Sequence, residues 1–154
     1  MAKKNIQCYH LIRLLFIACM MKVTLAQDKT GCIEGDCRDG IGTYLYDYGA
    51  KYNGEFKEGK KHGTGTYWFD NGDTYEGEYA NGMKHGSGIY IFKDGRKYGG
   101  MYKDGRRHGI GKFTDPDGRK YEGEYKNGKE DGQGEVVLPS GETYSGGMQG
   151  GKYH

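Results

Sequence analysis

One tyrosine recurs every 23 residues without an insertion or deletion, at Tyr52, Tyr75, Tyr98, Tyr121 and Tyr144. A glycine follows each of them two positions later, at Gly54, Gly77, Gly100, Gly123 and Gly146. Other glycines also keep fixed places in this period, for example the Gly-x-Gly pair Gly63 and Gly65. A fixed period of roughly 20–50 residues is the signature of repeat architectures, in which each unit packs on its neighbours. The chain is therefore predicted to be a tandem array.

Side chains within a unit alternate with a period of two, which predicts β-strands. Tyr75, Gly77 and Tyr79 fall on one face, and the two intervening glutamates fall on the other. Hairpin signals stand between units, at Asn71-Gly72, Asp94-Gly95 and Asp117-Gly118. We therefore predict an all-β fold, an elongated single-layer antiparallel sheet of β-hairpins. At about 4.8 Å per strand, it is about 50 Å long.

The composition supports a single layer with an aromatic face. The chain contains 30 glycines and 15 tyrosines, and 34% of its residues are hydrophobic, too few to fill a thick two-layer core. Because glycine lacks a Cβ, we expect the tyrosine rings to lie down across neighbouring glycines. The predicted organisation is a leader at 1–26 and a repeat domain at 31–154. That domain comprises a partial unit at 31–51, units at 52–74, 75–97, 98–120 and 121–143, and a partial unit at 144–154.

The first 26 residues have the pattern of an export signal. A basic start is followed by an apolar run at 14–21, and Ala26 ends a small-residue cleavage site. Two alternatives remain open: a lipid anchor on Cys19, or an uncleaved membrane anchor. In each case we expect an exported protein, whether secreted, periplasmic or envelope-associated.

Export changes the interpretation of charge and of the cysteines. The formal net charge is +2, but residues 1–26 hold four basic residues and no acidic one, which leaves 19 basic against 21 acidic residues. A nucleic acid partner is therefore not expected. An oxidising compartment favours a local disulfide between Cys32 and Cys37. Two free thiols are the alternative, whereas a metal site lacks further ligands nearby in the sequence.

The repeated pattern resembles the MORN (membrane occupation and recognition nexus) repeat. Residues 52–65 read Tyr-Asn-Gly-Glu-Phe-Lys-Glu-Gly-Lys-Lys-His-Gly-Thr-Gly, and the resemblance extends over about 31–154. It implies an elongated hairpin sheet used for protein–protein or membrane-proximal contacts. MORN arrays accompany catalytic domains in some families, but no such domain is expected here. Met101, Gly147, Met148 and Asp115 depart from the pattern.

Residues that suggest chemistry recur in register, which favours structural roles. His62, His85 and His108 occupy one position of successive units, about 10 Å apart, too far to share a zinc ion. Glu55, Glu78 and Glu124 form an equivalent, solvated ladder rather than an asymmetric acid–base pair. No nucleophile motif or phosphate-binding loop is present. We therefore expect no enzyme activity, no cofactor and no metal site.

Three surfaces are candidates for binding. A basic stripe on the turns is a candidate for anionic lipid, and it comprises Lys60, Lys61, His62, Lys84, His85, Arg106, Arg107, His108 and Lys129. The tyrosine-rich face is a candidate for a protein partner. The chain is expected to stop after the first strand of a unit, leaving an unpaired edge for a homodimer. Our first hypothesis is a non-catalytic exported scaffold for a protein partner or an envelope component, and our second is a protein that binds anionic phospholipid.

Overall fold

The computed structural model of the protein describes residues 30–154. The predicted leader, with Ala26 and Cys19, lies outside the described residues. All regular elements within 30–154 are strands: β1 (Gly31–Gly35), β2 (Ile41–Leu45), β3 (Lys51–Lys57), β4 (Lys60–Trp68), β5 (Thr74–Ala80), β6 (Met83–Ile91), β7 (Lys97–Lys103), β8 (Arg106–Thr114), β9 (Lys120–Lys126), β10 (Lys129–Val137), β11 (Thr143–Gln149) and β12 (Lys152–Tyr153). The same part of the chain has no helix long and apolar enough to span a bilayer.

The twelve strands form one sheet whose spatial order is the order of the sequence. Every strand pairs antiparallel with its sequence neighbours, from β1–β2 to β11–β12. The predicted single-layer sheet of hairpins is therefore confirmed.

Tight two-residue turns connect the two strands of each unit. Glu58 and Gly59 both adopt positive φ, at 51° and 72°, and the same geometry recurs at Asn81-Gly82, Asp104-Gly105 and Asn127-Gly128. Two consecutive positive φ values define the type I′ turn, which matches the twist of hairpin strands. Each turn is also hydrogen-bonded to the preceding unit. The Gly82 N–H, for example, donates to the Lys61 carbonyl oxygen at 2.8 Å.

The hairpin signals between units form a wider loop than a two-residue turn. The Phe69 N–H donates to the Asp73 oxygen and the Gly72 N–H donates to the Phe69 oxygen, at 3.0 and 3.1 Å. Only Gly72 in this loop has positive φ, at 91°. This is the three-residue loop with a glycine bulge. The hairpin connections predicted at these positions are confirmed.

The core is a row of side chains that crosses the sheet on one face, which we call the aromatic face. Cross-strand pairing links one residue of each strand from β2 to β11 in the order Tyr44, Tyr52, Tyr67, Tyr75, Tyr90, Tyr98, Phe113, Tyr121, Val136 and Tyr144. Tyr52, Tyr75, Tyr98 and Tyr121 are fully buried. A single layer thus obtains a core from rings that cover one another.

A parallel row of paired glycines makes room for those rings. Tyr75 lies across Gly77 and Gly88, which pair directly, and a Cβ on Gly88 would collide with the phenol ring. The Tyr75 hydroxyl donates to the Glu78 carbonyl oxygen at 3.1 Å. The expectation that glycine lets the rings lie down is confirmed.

A second set of rings joins one unit to the next. Tyr79 makes edge-to-face contacts with Tyr75 of its own unit and with Tyr52 of the preceding unit, both with centroids 5.2 Å apart. Tyr102 and Tyr125 repeat the arrangement. Edge-to-face pairs at this distance are favourable beyond the area they bury. Edge-to-face ring contacts therefore join each complete unit to the next.

Candidate binding face

Three cations of the predicted basic stripe lie on the aromatic face. Lys61, Lys84 and Arg107 occupy one position of consecutive units. Their cross-strand partners in the same hairpin are Phe56, Tyr79 and Tyr102, in that order. The Lys61 Nζ lies 4.2 Å from the centroid of Tyr67, and the Lys84 Nζ lies 4.5 Å from that of Tyr90. We call these three residues the inner cations.

Both the backbone and the side chain of each inner cation are held in place. The backbone carbonyls of Lys61, Lys84 and Arg107 accept the turn N–H of the next unit at 2.8, 2.8 and 2.9 Å. Their side chains lie over rings, and the Arg107 guanidinium also donates to the Gly128 carbonyl oxygen at 2.9 Å. The cations are thus positioned by the repeat itself.

The inner cations form no close ion pair. Within residues 30–154, no carboxylate lies within 4.0 Å of any of the three, so none forms an ion pair. Desolvation lowers the pKa of Lys61 to about 8, with a smaller effect from Lys84. Desolvation also lowers the pKa of Lys84, against the opposing attraction of the Asp73 carboxylate. Ring faces attract cations but do not neutralise them. The result is a row of partly desolvated positive charge.

The fourth unit reverses this charge. Glu130 stands where the earlier units have an inner cation, and it is half-buried. Its carboxylate accepts two hydrogen bonds from Arg119, at 3.0 and 3.2 Å. The unpaired positive row therefore ends after the third unit.

The remaining bases of the stripe do not lie with the inner cations. Lys60, Arg106 and Lys129 are exposed on the opposite face, because neighbouring strand residues point to opposite sides. They pair across the turns with three exposed lysines, giving a second set that we call the outer basic row: Lys57, Lys60, Lys103, Arg106, Lys126 and Lys129. The bases of the predicted stripe therefore follow one edge of the ribbon, but they are divided between its two faces. Their binding of anionic lipid stays a prediction.

The histidines lie beside the turns. His62, His85 and His108 are half-buried, and the His85 Nδ1 lies 3.9 Å from the Asp104 carboxylate of the next turn. Within the described range, no three His, Cys, Asp or Glu side chains are close enough to hold a metal ion together.

The glutamate ladder has a structural role that the sequence interpretation missed. The Glu55 carboxylate accepts the Thr64 N–H at 2.8 Å, and Glu78 and Glu124 accept the equivalent N–H of Ser87 and Gln133. These hydrogen bonds lie at the bulge in the second strand of the first, second and fourth units, and they lower the pKa of Glu55. The glutamates are therefore fixed rather than simply solvated.

The third unit replaces that polar arrangement with an apolar depression. Met101 stands at the glutamate position, and Ile89, Met101 and Ile110 line an open hollow of about 580 Å³ over the side-chain-free Gly99. Ile110 is 61% exposed, which is unusual for an isoleucine. Of these residues, only Met101 was singled out as a departure from the repeat.

The two ends of the sheet carry distinct features. Cys32 and Cys37 form a disulfide across the turn that follows β1. At the other end, β12 pairs with Met148 and Gln149 only, after a turn at Gly150 and Gly151. The chain therefore continues beyond the first strand of its last unit, contrary to the prediction. The homodimer through this edge stays a prediction.

The MORN repeat profile matches four consecutive segments, at residues 52–74, 75–95, 98–118 and 121–143, which together make up more than half of the chain. The chain belongs to the MORN repeat family. MORN repeats typically mediate interactions with proteins or membranes, and the family is generally non-catalytic. No curated protein matches the sequence.

Among solved structures, the chain is similar to the SAS-4 (dCPAP) TCP domain of Drosophila melanogaster, determined in complex with a proline-rich motif of Ana2 (dSTIL). The identity is 16% and the TM-score 0.47, over 80% of this chain and 71% of that one. So slight a likeness carries no argument about function.

Proposed function

We propose that this MORN-repeat chain is a non-catalytic, exported scaffold that binds an acidic segment of a protein partner along its aromatic face. The observation that carries the proposal is the row of inner cations, which are half-buried and have no carboxylate within 4.0 Å. Keeping positive charge partly out of water without a partner costs free energy. A bound carboxylate recovers that cost.

Half-buried rings beside the inner cations add apolar surface to the same face. Phe69, Tyr90 and Phe92 keep part of their rings accessible, and an open depression of about 320 Å³ lies between Lys84 and Arg107. Aromatic residues are enriched at protein-binding surfaces, because they offer large area at small entropic cost. The Cys32–Cys37 disulfide and the leader pattern are consistent with export.

A second candidate function, binding of anionic phospholipid, is favoured by the outer basic row. Its six bases are exposed and face one side of the sheet. Basic residues near an anionic membrane surface contribute about 1 kcal/mol each. The inner cations and the outer basic row lie on opposite faces, so the two functions are separable by mutation.

The test compares two triple variants of the full chain with equal loss of charge. The inner variant carries Lys61→Gln, Lys84→Gln and Arg107→Gln, and the outer variant carries Lys57→Gln, Lys103→Gln and Lys126→Gln. Fluorescent glutamate-containing peptides are expected to bind the unaltered chain and the outer variant but not the inner variant, and near-ultraviolet circular dichroism of the tyrosines checks the fold. Equal losses in both variants, or no peptide binding to the unaltered chain, contradict the proposal. Flotation with phosphatidylserine vesicles that is lost only in the outer variant supports the lipid function instead.

A further inference from the structure

We infer that the occupant of the aromatic face is a polyproline II segment with an acidic residue at every third position. This inference rests on the proposed function and adds the conformation and the sequence register of the partner. It follows from the spacing of the inner cations, from the geometry of the face and from the charge reversal in the fourth unit.

The spacing of the inner cations matches one conformation of an extended peptide. Lys61, Lys84 and Arg107 are each two strands apart along the ribbon, a distance of about 9.6 Å. A polyproline II helix has three residues per turn and rises about 3.1 Å per residue, so every third side chain points the same way at about 9.3 Å intervals. Over three cations the accumulated mismatch is about 0.6 Å.

Other regular conformations fit the row less well. Side chains on one side of a β-strand recur every ~6.6 Å, which is out of phase with the cations. An α-helix repeats a face after seven residues, or about 10.5 Å, and accumulates about 2 Å of mismatch across the same three positions. The polyproline II helix therefore keeps the register best.

The face also suits a backbone that needs no hydrogen-bond partner. From β2 to β10 each strand is paired with a neighbour on both sides. The backbone N–H and C=O groups of these strands are therefore not available to pair with a bound peptide. A polyproline II backbone forms no internal hydrogen bonds and stays solvated. Its proline rings pack on aromatic side chains, and the half-buried Phe69, Tyr90 and Phe92 are accessible for that contact.

Glu130 limits how many acidic residues of the partner peptide can face a cation. It occupies the next position in the series after Arg107, and its ion pair with Arg119 leaves no free positive charge there. An acidic residue at a fourth register position meets a carboxylate instead of a cation. The expected partner therefore carries three acidic residues at intervals of three, followed by a neutral or basic residue.

The experiment uses a set of peptides of equal length and equal glutamate content, and measures their affinity for the full chain by fluorescence anisotropy. The reference peptide has glutamate at every third position among prolines, and a second peptide has the same glutamates at irregular spacing. A third keeps the regular spacing in a flexible glycine–serine background. The reference peptide is expected to bind about tenfold more tightly than the other two, and the inner variant is expected to abolish this preference.

The outcomes separate the inference from the function on which it rests. Equal affinity for regular, irregular and flexible peptides, lost only in the inner variant, overturns the polyproline II register but leaves the acidic-segment function intact. Absence of binding by every peptide overturns both. Vesicle binding that depends on the inner cations, without any peptide binding, also overturns both and assigns the face to lipid. In a further peptide, glutamate at the fourth register position is expected to weaken binding, and a gain there contradicts the role given to Glu130.

Discussion

The row of paired glycines predicts that two neighbouring residues respond in opposite ways to the same substitution. Gly99 and Gly100 are consecutive in β7 and face opposite sides of the sheet. A Cβ on Gly100 would lie 2.5 Å from the Gly111 Cα and 2.7 Å from both the Ile110 carbonyl oxygen and the Tyr98 hydroxyl. A Cβ on Gly99 would meet only the Ile89 side chain, at 3.9 Å, which is an ordinary contact.

The size of the stability difference follows from the atoms that each added methyl group displaces. Gly100→Ala overpacks the core beside the fully buried Tyr98, which costs about 1–3 kcal/mol. Moving that ring also breaks the hydrogen bond from its hydroxyl to the Met101 carbonyl oxygen, 3.0 Å long, for about 1 kcal/mol more. Gly99→Ala instead gains about 0.5–1 kcal/mol, because alanine has less backbone entropy to lose in a strand. The two variants are expected to differ by about 2.5–5 kcal/mol.

Urea unfolding followed by near-ultraviolet circular dichroism of the tyrosines measures this difference. The slope of unfolding free energy against urea is compared between variants, because repeat arrays can unfold unit by unit and so change that slope. Gly100→Ala within about 0.5 kcal/mol of Gly99→Ala refutes the claim that the paired glycines exist to make room for tyrosine rings.

Two further predictions concern the pH dependence of stability and a buried carboxylate. Burial raises the pKa of Tyr98 to about 12, from about 10 for a free tyrosine. Its neutral form therefore stabilises the fold fully below pH ~10 and loses that contribution as the pH rises toward ~12. The tyrosinate absorbance of the buried rings is expected to rise in step with loss of circular dichroism, after that of the exposed tyrosines. Full ionisation of a still-folded chain at pH ~10 contradicts this. Asp73→Ala removes the acceptor of the Tyr90 hydroxyl and the Lys93 N–H, at 2.7 and 2.8 Å, and is expected to lower the unfolding free energy by about 1–3 kcal/mol. The exposed Asp94→Ala serves as the control in the same urea titration, and an equal loss there removes the special role of Asp73.

The fold was predictable because every local choice repeats and agrees with its neighbours. The 23-residue period gave the number of hairpins, and the alternation of Tyr75, Gly77 and Tyr79 gave the face that is buried. The type I′ turns within the units were missed although Asn81-Gly82, Asp104-Gly105 and Asn127-Gly128 have the favoured Asn-Gly or Asp-Gly sequence. Only the turn at Glu58-Gly59 lacks this signal, because glutamate is not a residue that favours positive φ. The turn is imposed by the pairing of its strands rather than by its own side chains.

The candidate site was only partly predictable. Counting back by twos from Tyr67 reaches Lys61, so strand alternation already places an inner cation on the aromatic face. The prediction of a single basic stripe ignored this alternation, because it grouped adjacent bases that point to opposite faces. The Arg119–Glu130 ion pair had no such signal, because these side chains come from a loop and from a strand ten or so residues later. Likewise, the hydrogen bonds of Asp73 join two loops whose equivalents in other units carry different residues.

The hydrogen-bonded order of the strands has a mechanical consequence. β1 and β12 lie at opposite ends of the sheet, so a pull between them acts along the hydrogen bonds rather than across them. Strands loaded in this direction detach one after another, and bonds such as that from the Gly82 N–H to the Lys61 oxygen break in series. Each released unit turns about 10 Å of ribbon into about 75 Å of extended chain. Under such a load the sheet is expected to unfold one unit at a time and to refold in the same steps when the load falls.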